Sequence, residues 1–297
     1  MSIRSSISAI VRSKARIACP LAVIAAALVA VPVAQAATGP KHNPPKSVYL
    51  ALGDSLAFGY QQAKFNQNLP IENPAVYNTG YVDDFAKDLG SINPRIHTVN
   101  LACPGETTDS LLGLTRCPYH PPFYLHTNYP GSQLNAALAI LRAHPGRVSP
   151  VTVDIGANDV LALVRSCTTA TGINLECVAS GISATFAHIR ANLSTILAKL
   201  LRAARHTEII VLGYDNPLIV SVPGSDAVSA QLNSLGAHTA AQYRARFADP
   251  LPVFNPAVNE IPTICKLTLI CTPLHDIHAS DLGYQKLADL VFAASGY

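Results

Sequence analysis

The chain is predicted to fold as one α/β domain, a parallel sheet covered by helices on both faces. Three observations carry that expectation. Four apolar runs of strand length fall at residues 48–52, 96–101, 151–155 and 209–212. Segments between and after them repeat their apolar residues at spacings of three and four, which marks helices with one buried face. Beyond residue 47 no second linker and no internal repeat interrupts the pattern. Strands alternating with helices build parallel sheets, and strands buried on both faces read as continuous apolar runs.

The first 36 of the 297 residues differ from the rest. Arg4, Arg12, Lys14 and Arg16 come first with no acid among them, then an apolar run over residues 17–33, then Ala34-Gln35-Ala36. A basic start, a short apolar core and a small-x-small end predict a signal peptide removed after Ala36. The alternative, a retained membrane anchor, has against it Pro20, Pro32 and a run at the lower limit for a bilayer span. Cys19 precedes the apolar core instead of following it, which argues against a lipoprotein. Residues 37–47 (ATGPKHNPPKS) are Pro-rich and polar and read as a linker, leaving 48–297 as the folded domain. Four of the 21 Lys and Arg lie in the first 36 residues, so 17 remain against 18 Asp and Glu. A near-neutral remainder without a basic run argues against nucleic acid as a partner.

The elements follow in order. Residues 48–52 predict a buried first strand, 96–101 a second, 151–155 a third and 209–212 a fourth, with Val253-Phe254 as the start of a short fifth. Leu134, Leu138 and Leu141 predict a short helix before the third strand. Ile182, Phe186, Ile189, Leu193, Ile196 and Leu200 share one face of a longer helix before the fourth. Leu282, Leu287, Leu290 and Val291 predict a C-terminal helix, with Ser280 placed to cap it.

Seven cysteines become six once Cys19 is removed, an even number suited to an oxidising compartment. They form three local pairs, Cys103 with Cys117, Cys167 with Cys177, and Cys265 with Cys271, and proximity makes these the expected disulfides. Six cysteines allow about 15 connectivities, and buried free thiols are the alternative. No C-x-x-C or H-x-x-x-H spacing favours zinc.

Ligands of open parallel sheets bind beyond the carboxyl ends of the strands, so the residues there carry the functional signal. The first strand runs into Gly53-Asp54-Ser55-Leu56, where a serine beside a turn-permitting glycine can present its hydroxyl. The second runs into Asn100-Leu101-Ala102-Cys103-Pro104-Gly105-Glu106-Thr107, where Gly105 can offer its N–H to a ligand. The third runs into Gly156-Ala157-Asn158-Asp159, with Asn158 as a neutral side-chain donor. Before the last helix stands His275-Asp276-Ile277-His278-Ala279-Ser280, a histidine near a carboxylate and suited to general base work. Each segment alone is ordinary turn and cap chemistry. Together they supply the hydroxyl, the base and the oxyanion donors that acyl transfer needs.

These four segments, in this order, resemble the sequence blocks of the SGNH (GDSL) hydrolases: Gly53-Asp54-Ser55-Leu56, the segment ending in Gly105, Gly156-Ala157-Asn158-Asp159, and His278 followed by Gly283-Tyr284. The chain lacks the G-x-S-x-G elbow of α/β-hydrolases. The resemblance implies a flavodoxin-like three-layer α/β/α sandwich with a central parallel sheet, and a secreted esterase or lipase that cleaves acyl esters. It assigns Ser55 as nucleophile, His278 as general base, and Ser55 N–H, Gly105 N–H and the Asn158 amide as the oxyanion hole. No metal or organic cofactor is implied. The expected partner is a small-molecule or lipid ester, the chain is expected to be a monomer, and no membrane span remains after processing.

One departure concerns the acid that orients His278. The family usually places it three residues ahead of the histidine, a position held here by His275; Asp276 stands only two ahead. Asp276 through a changed loop, a backbone carbonyl near residue 275, or an acid from elsewhere can fill the role, and the carbonyl is slightly favoured. Two histidines around Asp276 have the wrong spacing for a metal pair on one helix face. Asp54 and Asp159 are read as turn residues without a catalytic role. Residues 103–130, rich in Pro, Tyr and His, either line a substrate pocket or form a rigid disulfide-pinned loop. A carbohydrate acetylesterase, or a non-catalytic carbohydrate- or surface-binding protein on the same scaffold, are the competing functions.

Overall fold

The computed structural model describes residues 44–69, 73–119, 124–170 and 172–297. The expected signal peptide and most of the linker lie outside the described residues. The chain enters through β1 (Val48–Gly53), a six-residue strand buried along its whole length. Then come the short helices α1 (Ser55–Phe58) and α2 (Gln62–Asn68), followed by α3 (Tyr81–Ile92). Next are β2 (His97–Asn100), α4 (Thr108–Leu112), α5 (Gln133–Ala143) and β3 (Val148–Asp154). α6 (Ala157–Ser166) is joined by the hairpin strands β4 (Thr168–Thr169) and β5 (Gly172–Ile173) to the 29-residue α7 (Leu175–Ala203). β6 (Ile209–Leu212), α8 (Asp226–Gln242) and β7 (Arg246–Ala248) follow, and α9 (Leu251–Phe254), α10 (Glu260–Leu267) and α11 (Asp281–Ala294) end the chain.

The five main strands are all parallel, in the order β2-β1-β3-β6-β7. Successive strand residues point to opposite faces, and both faces are filled. Tyr49, Ala51, Ile210 and Leu212 pack with Phe85 and Leu89 of α3 and Leu287 and Val291 of α11. Leu50, Leu52, Val151, Val153 and Val211 pack with Leu134 and Leu141 of α5 and Leu193, Ile196 and Leu200 of α7. Helices therefore cover both faces of the sheet, the three-layer arrangement the alternating pattern implies. Of the periodic faces read from sequence, Ile189, Leu193, Ile196 and Leu200, Leu134 and Leu141, and Leu287 and Val291 are buried, whereas Ile182, Phe186, Leu138 and Leu290 are half-buried and Leu282 is exposed; the Ser280 hydroxyl accepts the Gly283 N–H at the start of α11.

One predicted element is overturned. Val253-Phe254 belongs to α9, not to a strand, and the fifth strand is β7 instead. Pro252 has no N–H to give a ladder but suits the first turn of a helix, so the segment curls and drives Phe254 into the core. β7 is three residues long and begins at Arg246, too short and too charged to stand out as an apolar run.

All three expected cysteine pairs are bonded, with Cα separations of 6.3 Å for Cys103–Cys117, 5.6 Å for Cys167–Cys177 and 5.2 Å for Cys265–Cys271. Among the described residues no helix is long and apolar enough to cross a membrane.

Burial also takes in acids. Glu106, 0 % exposed after β2, is pushed up to about 7 by desolvation, which Ser110 and Gln133 only partly offset. A raised carboxyl favours the folded state while both states are protonated and loses that advantage as pH climbs from about 4.5, its ordinary value, through about 7. Glu106→Gln is therefore expected to gain stability over the parent above pH 7, by up to a few kcal/mol. The gap should close near pH 4, as urea titrations at several pH values would read. Phe85 sits edge-on to Tyr49 with centroids 5.2 Å apart. Phe85→Ala should cost about 3–5 kcal/mol in the same assay.

Candidate active site

The carboxyl ends of β1, β2, β3 and β6 open on one side of the sheet, and the segments beyond them meet there. β1 ends at Gly53, whose φ of +154° only glycine adopts readily, and a Cβ there would run into the Asp154 carboxylate at the end of β3. The chain turns at once into α1, with Ser55 as its first residue. Asp54 caps that helix by accepting the Leu56 N–H at 3.0 Å and also receives the Tyr214 hydroxyl at 2.7 Å. Asp154 accepts the N–H groups of Asp54 at 3.2 Å and Ala57 at 3.3 Å and the Tyr81 hydroxyl at 2.6 Å. The serine turn thus rests on a buried carboxyl. Desolvation pushes both Asp54 and Asp154 above the usual carboxylate range, and the charge of Asp54 pushes Asp154 further.

His278 follows a left-handed turn at His275, φ +47°, whose ring turns away to the Ile270 carbonyl. That turn lets an acid two residues ahead reach the imidazole. Asp276 Oδ1 lies 2.5 Å from His278 Nδ1 and also accepts the His278 N–H at 3.2 Å, while Oδ2 accepts the Gln62 N–H at 2.7 Å. The partner of Nδ1 is therefore the Asp276 side chain and not the slightly favoured backbone carbonyl. Burial alone would raise this acid; the hydrogen bond and charge of His278 and the two N–H groups outweigh it and hold Asp276 below its ordinary value. The Cys265–Cys271 bond and the Thr268–Ala279 bridge brace the loop from beneath.

Gly105, with φ +80°, follows the disulfide-bonded Cys103, and Pro118 lies so close that a Cβ would come within 2.7 Å of its ring. The Asn158 amide donates to the Glu106 carbonyl at 3.0 Å and makes a long 3.4 Å contact with Asp54 Oδ2. Asp159 accepts the Thr108 N–H and hydroxyl, at 3.0 and 2.6 Å, and so anchors α4, as a turn residue would. Among the described residues the one cluster with metal-ligand proximity is Cys103, Glu106 and Cys117, and its sulfurs are spent on a disulfide.

Ser55, Gly105, Asn158 and His278 all line a single cavity of about 780 Å³. Away from them its wall is mostly apolar, with Ala157, Val160, Leu161 and Val164 along one face of α6, Val178 and Ile182 of α7 and Leu232 of α8, while Arg165, Asn216, Ser225 and Gln231 add polar groups. Several contributors were not legible in the sequence. Tyr60, Gln61 and Gln62 stitch the serine segment to the histidine loop: the Tyr60 ring lies tilted against that of His278 with centroids 4.8 Å apart, and Gln61 donates to the Ala279 carbonyl at 3.0 Å. Asp215, just beyond β6, also lines the cavity and is pushed up to about 7 by burial. Position after a strand was the only available signal for Asp154 and Asp215, and it does not tell a site residue from a turn residue.

The chain matches the model of the GDSL-like lipase/acylhydrolase family over residues 51–286. No curated protein matches it in sequence. Among solved structures it is similar to an extracellular lipase of Streptomyces rimosus (18 % identity, 84 % of this chain and 100 % of that one, TM-score 0.56). It is also similar to phospholipase A1 of Streptomyces albidoflavus (16 %, 84 % and 100 %, 0.53). A third is an acetyl xylan esterase of Geobacillus stearothermophilus (17 %, 86 % and 96 %, 0.53). Identities this low speak for the fold alone; the match across the four strand-end segments goes further, and the chain belongs to the GDSL-like lipase/acylhydrolase family of ester hydrolases.

Proposed function

We propose that the protein is an exported carboxylic-ester hydrolase, an esterase or lipase, that carries the acyl group on Ser55 and prefers acyl chains well beyond acetyl. The observation that carries the reading is the mostly apolar cavity of about 780 Å³ that both Ser55 and His278 line. An acetyl group would leave most of it empty, whereas pockets of this size ordinarily bury most of a ligand of several hundred Å³.

The chemistry proceeds in two halves. Ser55 Oγ attacks the ester carbonyl carbon and its proton passes to His278 Nε2, made basic and held in orientation by Asp276 on Nδ1. The charge that develops on the carbonyl oxygen is met by the Ser55 and Gly105 N–H groups and by the Asn158 amide. Collapse expels the alcohol, which takes the proton from His278. Water then enters by the same route, giving its proton to His278, and the acid leaves as Ser55 regains its hydrogen. Export is supported by the basic-then-apolar start of the sequence and by three disulfides.

A fluorophosphonate is expected to label Ser55, and Ser55→Ala to abolish labelling; persistent labelling of that variant would mean another nucleophile. Asp276→Asn should lower kcat by roughly 10⁴, the scale for a triad Asp. A loss under tenfold would return the orienting role to a backbone carbonyl. Along a nitrophenyl ester series kcat/KM should climb from acetyl to about octanoyl. Leu161→Trp, which narrows the cavity, should flatten that climb and spare the acetate. Preference for acetylated xylooligosaccharide over every chain length would establish the acetylesterase reading instead.

A further inference from the structure

The cavity carries its charges at separate places. Among the described residues the acids that line it are Asp54, after β1, and Asp215, after β6, at the strand ends where His278 also stands. The one Lys or Arg that lines it is Arg165, in the last turn of α6. Arg165 is exposed and forms no ion pair among the described residues. Glu176, carried toward the same end of α6 by the Cys167–Cys177 bond, does not line the cavity. Asp226, beside the lining residue Ser225, accepts the Asn216 amide at 2.5 Å. The guanidinium therefore has no acid of its own to answer it.

The helix sets the distance between this cation and the site. Ala157, Asn158, Leu161, Val164 and Arg165 all line the cavity and recur at helical spacing, so they share one face of α6. Leu163 lies on another side and packs on Gly181 of α7, where a Cβ would come within 2.6 Å of its side chain. From Asn158 to Arg165 the helix makes two turns, a climb of about 10 Å. Between them that face is apolar, and Val178 and Ile182 of α7 line the same cavity. A cation is favoured near a helix C-terminus, which accounts for a basic residue in the last turn but not for its face. Ala162 and Ser166 are exposed and lie outside the cavity lining, so the same charge could have stood there.

An acyl chain of about eight carbons, laid along this face from a carbonyl at Asn158, brings its end to the guanidinium. A methyl end gives that group nothing to bond, whereas a carboxylate matches its fork of N–H donors. We propose that Arg165 is a specificity residue that binds a carboxylate at the far end of the acyl group, and that the preferred substrates are half-esters of dicarboxylic acids. The inference rests on the ester-hydrolase reading above and names the substrate class of that same site. Hydrolysis of such a half-ester releases the alcohol and the free dicarboxylic acid.

The test compares 4-nitrophenyl hydrogen suberate with 4-nitrophenyl octanoate, which has the same chain length but no terminal carboxylate. Arg165→Gln is expected to lower kcat/KM on the suberate about tenfold, to leave the octanoate rate unchanged and to keep the melting temperature. Arg165→Lys, which keeps the charge without the fork, should retain part of the suberate rate. The hydrogen glutarate ester, too short to reach the guanidinium, should respond to neither substitution. Equal suberate rates in the parent and Arg165→Gln would overturn the proposal. So would an equal loss on the glutarate, which would make Arg165 a general attraction for anions. A loss confined to 4-carboxyphenyl octanoate would also overturn it, by placing the anion on the alcohol. Calorimetric titration with suberic acid monoanilide, an amide in place of the ester, repeats the comparison without turnover, and its Kd should rise about tenfold in Arg165→Gln. Ester hydrolysis with no dependence on Arg165 sinks this inference alone. Arg165-dependent binding of the anilide without hydrolysis of any ester sinks the hydrolase reading and leaves the carboxylate site standing.

Discussion

The Asp276 carboxylate holds the site together. One oxygen takes His278 Nδ1 and the other takes the Gln62 N–H, 214 residues away in the chain. A single buried acid therefore fixes the His278 imidazole in rotation and fixes its loop to the segment that bears Ser55. Tyr60 against the imidazole, the Tyr284 hydroxyl on the Tyr60 carbonyl at 2.7 Å, and Gln61 on the Ala279 carbonyl reinforce the same seam. Low dielectric makes each of these bonds stronger and each missing partner more costly. The loop is consequently positioned by several mutually dependent contacts.

Beneath the seam the fold tolerates a concentration of buried carboxyls. Asp54 and Asp154 lie side by side at the sheet edge, and Asp154 supports the serine turn through two N–H groups and the Tyr81 hydroxyl. Burying a carboxylate is unfavourable unless donors replace water. Here tyrosines supply much of that replacement, with Tyr214 on Asp54 and Tyr81 on Asp154. Residues that look like turn chemistry in the sequence thus lie beneath the turn that bears Ser55.

The three disulfides fall where the wall of the site leaves regular structure. Cys103–Cys117 frames the Gly105 turn, Cys167–Cys177 closes the hairpin between α6 and α7, and Cys265–Cys271 braces the histidine loop. Cross-links of this kind limit how far a loop can stray without adding to the core. The apolar face of α6 lines the cavity through Leu161 and Val164, while its first turn, Ala157 and Val160, also packs on the core.

Much of the fold was legible because its signals are local. Continuous apolar runs at 48–52 and 209–212 read as strands buried on both faces, and the repeat from Ile182 to Leu200 as a helix face, and the structure has β1, β6 and α7 there. Three strand-end segments and the entrance of α11, read from sequence, bring Ser55, Gly105, Asn158 and His278 to the lining of one cavity, since topology carries such residues to one edge. Distance along the chain hides the rest. A two-residue spacing between Asp276 and His278 looked wrong until the left-handed turn at His275 brought the carboxylate onto the ring. Val253-Phe254 looked like a strand until the proline before it took the start of a helix. The sequence by itself determined which segments bury and which side chains stand at the sheet edge, because hydrophobic period and strand polarity are properties of neighbours. Only the tertiary structure decided which acid meets His278, which carboxyls lie under Ser55 and how much mostly apolar space both residues line, because those depend on contacts between segments that no local pattern relates.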